Sequence, residues 1–385
     1  MDGLSGLAMR TLGRFFLMLT VLPAIGAARA GHETPIYPSY YPQEIRIEPA
    51  DPAAAAAALL EGRIHAYVGA EPAFAAETGD SIAFVESLGA FQVVDVNPDS
   101  AVAGDRQSRC AVARTVIAAL AETEFQLHPY PVNPFHADYL HHFDLAAAAT
   151  ARVREPSGVT AADLRVRAEG ARAEKLVQAH WPAAATDWDA RVVEVDAGRL
   201  VTGPGADGAG WAGTPGLKQG WYHAYLLLAD SLPDAAAKAR AAALLARLQR
   251  GGHERFEQKI NLERELVTVL TGSCRRSVAG YRLRREYYST EYSGGVENIA
   301  YDSHAGFNSA IFIRTVKLKD FPWNGWLTLG IEGRPTAAWN PVAGFTDDAG
   351  RLIWRALGDP ALFPEPYNAG WNPNRIGEVK ATAGK

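Results

Sequence analysis

The stretch from Glu44 to Gly69 does most to restrict what this chain can become. Over Glu44–Glu48, Ile45 and Ile47 alternate with charged residues, the period of a half-buried strand. Asp51 and Pro52 open an alanine-rich helix that ends near Gly62, and Ile64–Gly69 reads as a second strand. Strand, helix of about 11 residues, strand is a βαβ unit, and such a unit places its strands parallel in one sheet.

The rest of the chain adds pieces to that sheet. Ile82–Val85 and Phe91–Val96 are two further apolar runs. Cys110–Glu124 puts Val112, Val116, Ile117 and Leu120 on one side, so a helix there packs on the sheet. Thr160–Ala179 reads as another helix, with Thr160 and Asp163 spaced as in a capping box, and Val192–Val195 as a short strand. Two helices, Ser231–Arg250 and His253–Leu270, stop at Gly251-Gly252 and at Gly272. From Tyr281 onward aromatic residues, Gly, Asn, Asp and Pro dominate. Ile311–Val316 and Trp326–Ile331 read as strands and Asp347–Leu357 as a short helix. Trp-Asn-Pro occurs at 339–341 and 371–373, too few copies for a repeat architecture. The expected fold is α/β (or α+β): an N-terminal βαβ-containing lobe, a helical middle and a loop-rich aromatic C-terminal region. Gly203–Gly216 holds six glycines in fourteen residues, which divides the chain into an α/β domain at 31–202, a linker or loop at 203–216, and a helical, then aromatic-rich domain at 217–385.

Residues 1–30 carry the pattern of a secretory signal peptide. Arg10 and Arg14 precede an apolar run from Phe15 to Ala27, and Ala28-Arg29-Ala30 supplies small residues where a signal peptidase cuts. The run is about 13 residues, short of the roughly 20 that span a bilayer, so no transmembrane anchor remains after cleavage. The Ala- and Arg-rich composition is bacterial in character, which makes the destination the periplasm. Removing 30 of 385 residues leaves 355 and takes the net charge from −5 to about −7. A mildly acidic chain has no electrostatic footprint for nucleic acid. In an oxidising compartment the two cysteines, Cys110 and Cys274, form an expected disulfide; two buried thiols, or a reactive Cys110 at a helix start, are the alternatives.

Three groups of residues have chemistry to offer. His128, His136, Asp138, His141, His142 and Asp144 form the densest cluster, and His136, Asp138, His141 and His142 are the expected metal ligands, for Zn or Cu. Histidines in surface or structural hydrogen bonds are the other reading of that cluster, and no cofactor is firmly implied. Trp221 and His223 stand at a loop-to-helix junction that can face a ligand. Trp339, Asn340, Trp371, Asn372 and Arg375 combine aromatic faces, amides and a cation, which suits flat or sugar-like ligands. These too have a plainer reading, as buried packing of a helix start and of a loop-rich domain. Glu291, Glu297, Asp302, Asp347 and Asp348 supply carboxylates, but no Gly-x-Ser-x-Gly or other catalytic signature is present and no catalytic residue is assigned.

The run Leu59-Leu60-Glu61-Gly62-Arg63-Ile64-His65-Ala66-Tyr67-Val68-Gly69, within residues 44–69, resembles the helix-to-strand crossover of type II periplasmic substrate-binding proteins. The resemblance implies two α/β lobes that close on a solute and deliver it to a membrane permease. The first functional expectation is therefore an exported ligand-binding protein and, more narrowly, a transporter-associated solute receptor. The alternatives are a periplasmic metal-binding protein or metal-dependent enzyme, and an accessory protein of a periplasmic redox or envelope complex.

Overall fold

A computed structural model describes residues 40, 42–121, 125–182, 187–202, 218–323, 325–336, 347–358 and 361–374. The expected signal segment at 1–30, the Gly-rich stretch at 203–216, and Trp339, Asn340 and Arg375 lie outside the described residues.

The βαβ expectation holds. Strand β1 (Glu44–Pro49) leads into helix α1 (Pro52–Leu60) and strand β2 (Ala66–Val68). Asp51 fixes the start of α1 by accepting hydrogen bonds from the Ala53 and Ala54 amides, two of the donors a helix start leaves without partners. Strand β3 (Ile82–Val96) joins the two apolar runs at 82–85 and 91–96 into one 15-residue strand. Then follow helix α2 (Arg106–Leu120), strand β4 (Gln126–Leu127), helix α3 (Phe143–Val153), strand β5 (Val166–Glu169), helix α4 (Ala171–Gln178), strand β6 (Ala190–Asp196) and helix α5 (Ala197–Thr202). Helices α6 (Gly220–Leu228), α7 (Ala235–Gln249) and α8 (Phe256–Thr271) lead to strand β7 (Arg276–Ser289). The chain continues through β8 (Val296–Glu297), α9 (Ala310–Thr315), β9 (Lys317–Leu318), β10 (Trp326–Ile331), α10 (Asp348–Leu357), β11 (Leu362–Pro364) and β12 (Trp371–Pro373).

Eight strands make one mixed sheet in the order β1-β10-β2-β7-β3-β6-β5, with β4 also on β7. Strand β10 lies between β1 and β2 and is parallel to both, so the βαβ unit skips one position. Two long strands organise everything else. β3 and β7 pair antiparallel from Ile82↔Ser289 to Asp95↔Arg276. At one end β7 meets β2 through Ala66↔Tyr288; at the other, β3 carries β6 along Ala90–Val96 and β7 carries β4 at 280–281.

The buried clusters divide the same way. Val85, Ile82, Tyr287 and Tyr288 belong to cores built with α1, β2, β10 and α9. Leu88–Val96 and Val278–Tyr281 belong to cores built with α2, α6, α7 and α8. The described residues therefore fall into two halves, and within them the chain passes from one to the other in β3 and back in β7. The ladder shifts register between Leu88 and Ala90, leaving Gly89 as a bulge at the crossing. A Cβ at Gly89 would stand 3.0 Å from the Arg284 amide nitrogen and 3.1 Å from the Arg282 carbonyl oxygen, so a larger residue would crowd the bulge.

Two expectations fail for identifiable reasons. Thr160–Ala179 is not one helix: Val166–Glu169 is a strand parallel to β6. The Arg165 amide and guanidinium both bind Asp189 at the start of β6, which holds this segment extended, and Gly170 at φ +97° separates it from α4. Ile311–Val316 is helical rather than a strand. Ser309 caps the Phe312 amide, and Ile311, Phe312 and Ile313 are all buried. Burying each of these side chains yields about 1.5–3 kcal/mol, which outweighs a helix penalty below about 0.7 kcal/mol per residue.

Cys110 and Cys274 form the expected disulfide, across a sequence separation of 164. It ties α2 to the turn between α8 and β7, inside the second half. Among the described residues no helix is long and apolar enough to cross a membrane.

Candidate functional site

The crevice beyond the carboxyl ends of parallel strands is where open α/β sheets place their ligands. Here a cleft of about 570 Å³ occupies that position. Val68 ends β2 and Gly69 follows it, Ile331 ends β10 and Glu332 to Arg334 follow it, and Asp347, Asp348, Ala349, Arg351 and Leu352 come from the start of α10 and its cap. All of these belong to the first half. Arg199 reaches the cleft from α5, in the second half. The lining mixes guanidiniums (Arg199, Arg334, Arg351) with carboxylates (Glu332, Asp347, Asp348), a setting for a small charged or zwitterionic solute.

The floor is fixed by buried polar bonds. Glu286 of β7 is fully buried, and its carboxylate accepts from the amides of Gly69 at 2.6 Å and Phe307 at 2.8 Å. Burial pushes this carboxyl above the usual glutamate range, partly offset by Arg284 and the two amides. Gly306, at φ +61°, has no room for a Cβ against the Glu286 carboxylate. Asn308 lines the cleft, accepting from Arg355 and donating to the Asp348 carbonyl.

Beside the cleft, the segment 302–304 of the first half meets the second. Leu88 donates its amide to the Ser303 carbonyl at 2.8 Å. Lys218 is buried to 1% exposure and donates to Asp302 at 2.5 Å and to the Glu365 carbonyl. His304 packs against His136 and His223, with ring centres 5.5 and 5.3 Å away, and those two rings are 4.7 Å apart. Burial, reinforced by the neighbouring imidazoles, holds His136 and His304 well below the usual histidine range, so both are neutral. A ligating atom from each of the three rings lies within 4.8 Å of the others. The tautomers oppose a metal here. The Asn133 amide donates to His136 Nδ1 at 2.9 Å, which leaves the proton of that ring on Nε2 and no lone pair to give.

The four expected metal ligands therefore separate. His136 belongs to the junction, not to the other three. Asp138 and His142 converge instead on Glu263 of α8, all three buried. His141 binds one oxygen of Glu263, Nδ1 to Oε2 at 2.8 Å. Trp221 and His223 are buried in α6, and Trp371 and Asn372 sit in the β11–β12 pair; none of the four lines the cleft. Of the carboxylates singled out in the sequence, Asp347 and Asp348 do line it, while Asp302 serves the junction. Sequence reasoning missed the cleft cations, Glu286 and Glu263. Glu263 had a signal: it interrupts the apolar side that Leu262, Leu266, Val267 and Leu270 give to α8.

No protein-family model matches the chain. No curated protein matches it in sequence. Solved structures resemble it in outline. The oligopeptide-binding protein AppA from Bacillus subtilis, in complex with a nonapeptide, is 14% identical over 70% of this chain and 58% of its own, at a TM-score of 0.38. The ABC transporter-associated periplasmic binding protein DppA from Helicobacter pylori, in complex with the peptide STSA, gives 12% identity, 69% and 55% coverage and a TM-score of 0.39. NikZ from Campylobacter jejuni, in complex with Ni(L-His), gives 13%, 66%, 58% and 0.36. The chain thus spans little more than half the length of these proteins.

Proposed function

We propose that this chain is an exported two-lobed binding protein that holds a small charged or zwitterionic solute in the cleft between its halves and presents it to a membrane permease. One observation carries the reading: the cleft at the carboxyl ends of β2 and β10, built by the first half, is also lined by Arg199 of the second. The halves are joined through β3 and β7 with a bulge at the crossing, and a bend there changes the distance from Arg199 to the rest of the lining. A volume of about 570 Å³ suits an amino acid or a short peptide. The signal segment supports delivery to the periplasm, and cleavage after Ala30 gives a mature chain starting at Gly31, which mass spectrometry of the secreted protein checks.

The binding test is a thermal-shift and calorimetric screen of the purified protein against amino acids, di- and tripeptides, dicarboxylates and polyamines. A ligand at 100 times its Kd adds about 2.7 kcal/mol of stability. Arg199→Ala should weaken the binding of whichever class scores, by about tenfold or more, since a lost charge-assisted contact is worth about 1.5–3 kcal/mol. If nothing in the screen binds, or if Arg199→Ala and Arg334→Ala bind as tightly as the parent, the reading is wrong.

A further inference from the structure

One turn before His223, at the amino end of α6, a second cluster has a different character from the junction imidazoles. Asp138, His142 and Glu263 are each at most 1% exposed, and a ligating atom of each lies within 4.8 Å of the other two. Their orientations are fixed from outside. Asp138 accepts from the Gly220 amide at 2.6 Å and the Trp221 amide at 3.1 Å. Glu263 is held through Oε2 by His141. His142 Nδ1 is 2.9 Å from the Tyr130 hydroxyl. A hydroxyl accepts from Nδ1–H as readily as it donates, so the ring is free to carry its lone pair on Nε2. That Nε2 is buried, has no hydrogen-bond partner and lies 3.8 Å from Asp138 Oδ2.

We propose that Asp138, His142 and Glu263 bind one divalent d-block cation of the zinc class, as a resident ion of the second half. One imidazole and two carboxylates are a borderline donor set suited to such ions. On a tetrahedral ion with bonds of about 2.0–2.1 Å, ligand atoms stand about 3.3 Å apart, so the His142–Asp138 pair closes by about half an ångström. The bonds from Gly220, Trp221, His141 and Tyr130 are the outer contacts that orient metal ligands and set their tautomers. Lys259 currently supplies the positive charge, with Nζ 2.8 Å from Glu263 Oε1. It sits one turn earlier on α8 with its side chain 26% exposed, so it can swing into solvent when a dication arrives. The site does not depend on the cleft: solute binding and metal binding are read separately.

The test uses the full mature protein, stripped with chelator and dialysed against Zn²⁺, with Co²⁺ as a coloured probe. One equivalent should bind. His142→Gln should lower the affinity by at least 100-fold, while His136→Gln and His304→Gln leave it unchanged. Lys259→Met removes the competing ammonium and should raise the affinity by about tenfold, a gain that poor folding of the His142 variant cannot imitate. The proposal is overturned if neither the parent nor Lys259→Met binds a stoichiometric ion, if binding survives His142→Gln, or if it is lost in His136→Gln or His304→Gln instead.

Discussion

Replacing Lys218 by methionine is the most direct test of how the two halves are held. The ammonium is 1% exposed and its partner Asp302 has a side chain 8% exposed, so solvent screens the pair little. Removing one member of such a pair leaves the other charge buried, at a cost of about 3–5 kcal/mol. Asp302 keeps hydrogen bonds from the His304 and Ala305 amides to its other oxygen, Oδ1, which places the expected loss for Lys218→Met at the lower end, about 3 kcal/mol. Asp302→Asn should cost about 2 kcal/mol, because the ammonium retains the Glu365 carbonyl. The double variant should be less destabilised than the sum of the two by about 2 kcal/mol, the coupling expected of groups in direct contact.

The assay is urea unfolding of the oxidised protein followed by two probes, tryptophan fluorescence and far-ultraviolet dichroism. Breaking the junction should shift the midpoint and also separate the two transitions, since each half keeps its own core. A coupling energy below about 0.5 kcal/mol would refute the reasoning, because it would mean that the charges are solvated and that the junction is held by something else.

Further predictions concern other groups. His136 and His304 have folded pKa values below the unfolded value of about 6.5, so their stability contribution is present above that pH and is lost as pH falls below it. Each contributes a slope that grows toward about 1.4 kcal/mol per pH unit as the unfolded ring becomes protonated, so the double variant His136→Gln/His304→Gln should flatten the stability profile between pH 6.5 and 5.5 by up to about 2 kcal/mol; an unchanged slope refutes it. Reducing Cys110–Cys274 releases a loop of 164 residues and should cost at most about 5 kcal/mol in the chain-entropy account, visible as a lower melting temperature with reductant. Gly306→Ala should destabilise by about 1–3 kcal/mol, through the positive φ and the Glu286 carboxylate together, and should weaken solute binding because Gly69 shares that carboxylate. Equal stability and affinity in that variant would remove Glu286 from the floor of the cleft.

How legible this molecule is in its sequence depends on how local each feature is. The βαβ unit, Trp326–Ile331 as a strand and the helices between 231 and 271 follow from periodicity and caps within a dozen residues. Strand β7 does not show, because Arg282, Arg284 and Arg285 interrupt its apolar pattern while serving partners elsewhere: Glu71, the His304 carbonyl and Glu86. The helix at 310–315 is hidden because Ile311, Phe312 and Ile313 read as strand residues, and only burial on all sides makes them helical. The cleft is the least local feature: Gly69, Arg199, Asn308 and Arg334 meet through the strand order, and nothing in their immediate neighbours marks them.

That contrast also explains where the histidine cluster led. Spacing places Asp138 and His142 four residues apart, and the structure keeps them neighbours; it cannot supply Glu263, more than a hundred residues later, or separate His136 from the group. The sorting is done by α6. Its first amides attract Asp138, and its second turn carries His223 to His136 and His304. One short helix thus stands between a cluster with carboxylates, where a cation lowers the energy, and a cluster of neutral rings, where a cation is opposed by the His136 tautomer and by the nearby Lys218 and Arg284 charges. A cation at the first cluster would anchor the amino end of α6 through Asp138, and α6 carries His223 to the junction. Metal occupancy should therefore stiffen the junction without contacting it: saturating Zn²⁺ should raise the midpoint of the parent and of Lys218→Met alike, and should leave His142→Gln where it was. If zinc raised the midpoint of His142→Gln as much as that of the parent, the anchoring through α6 would be wrong.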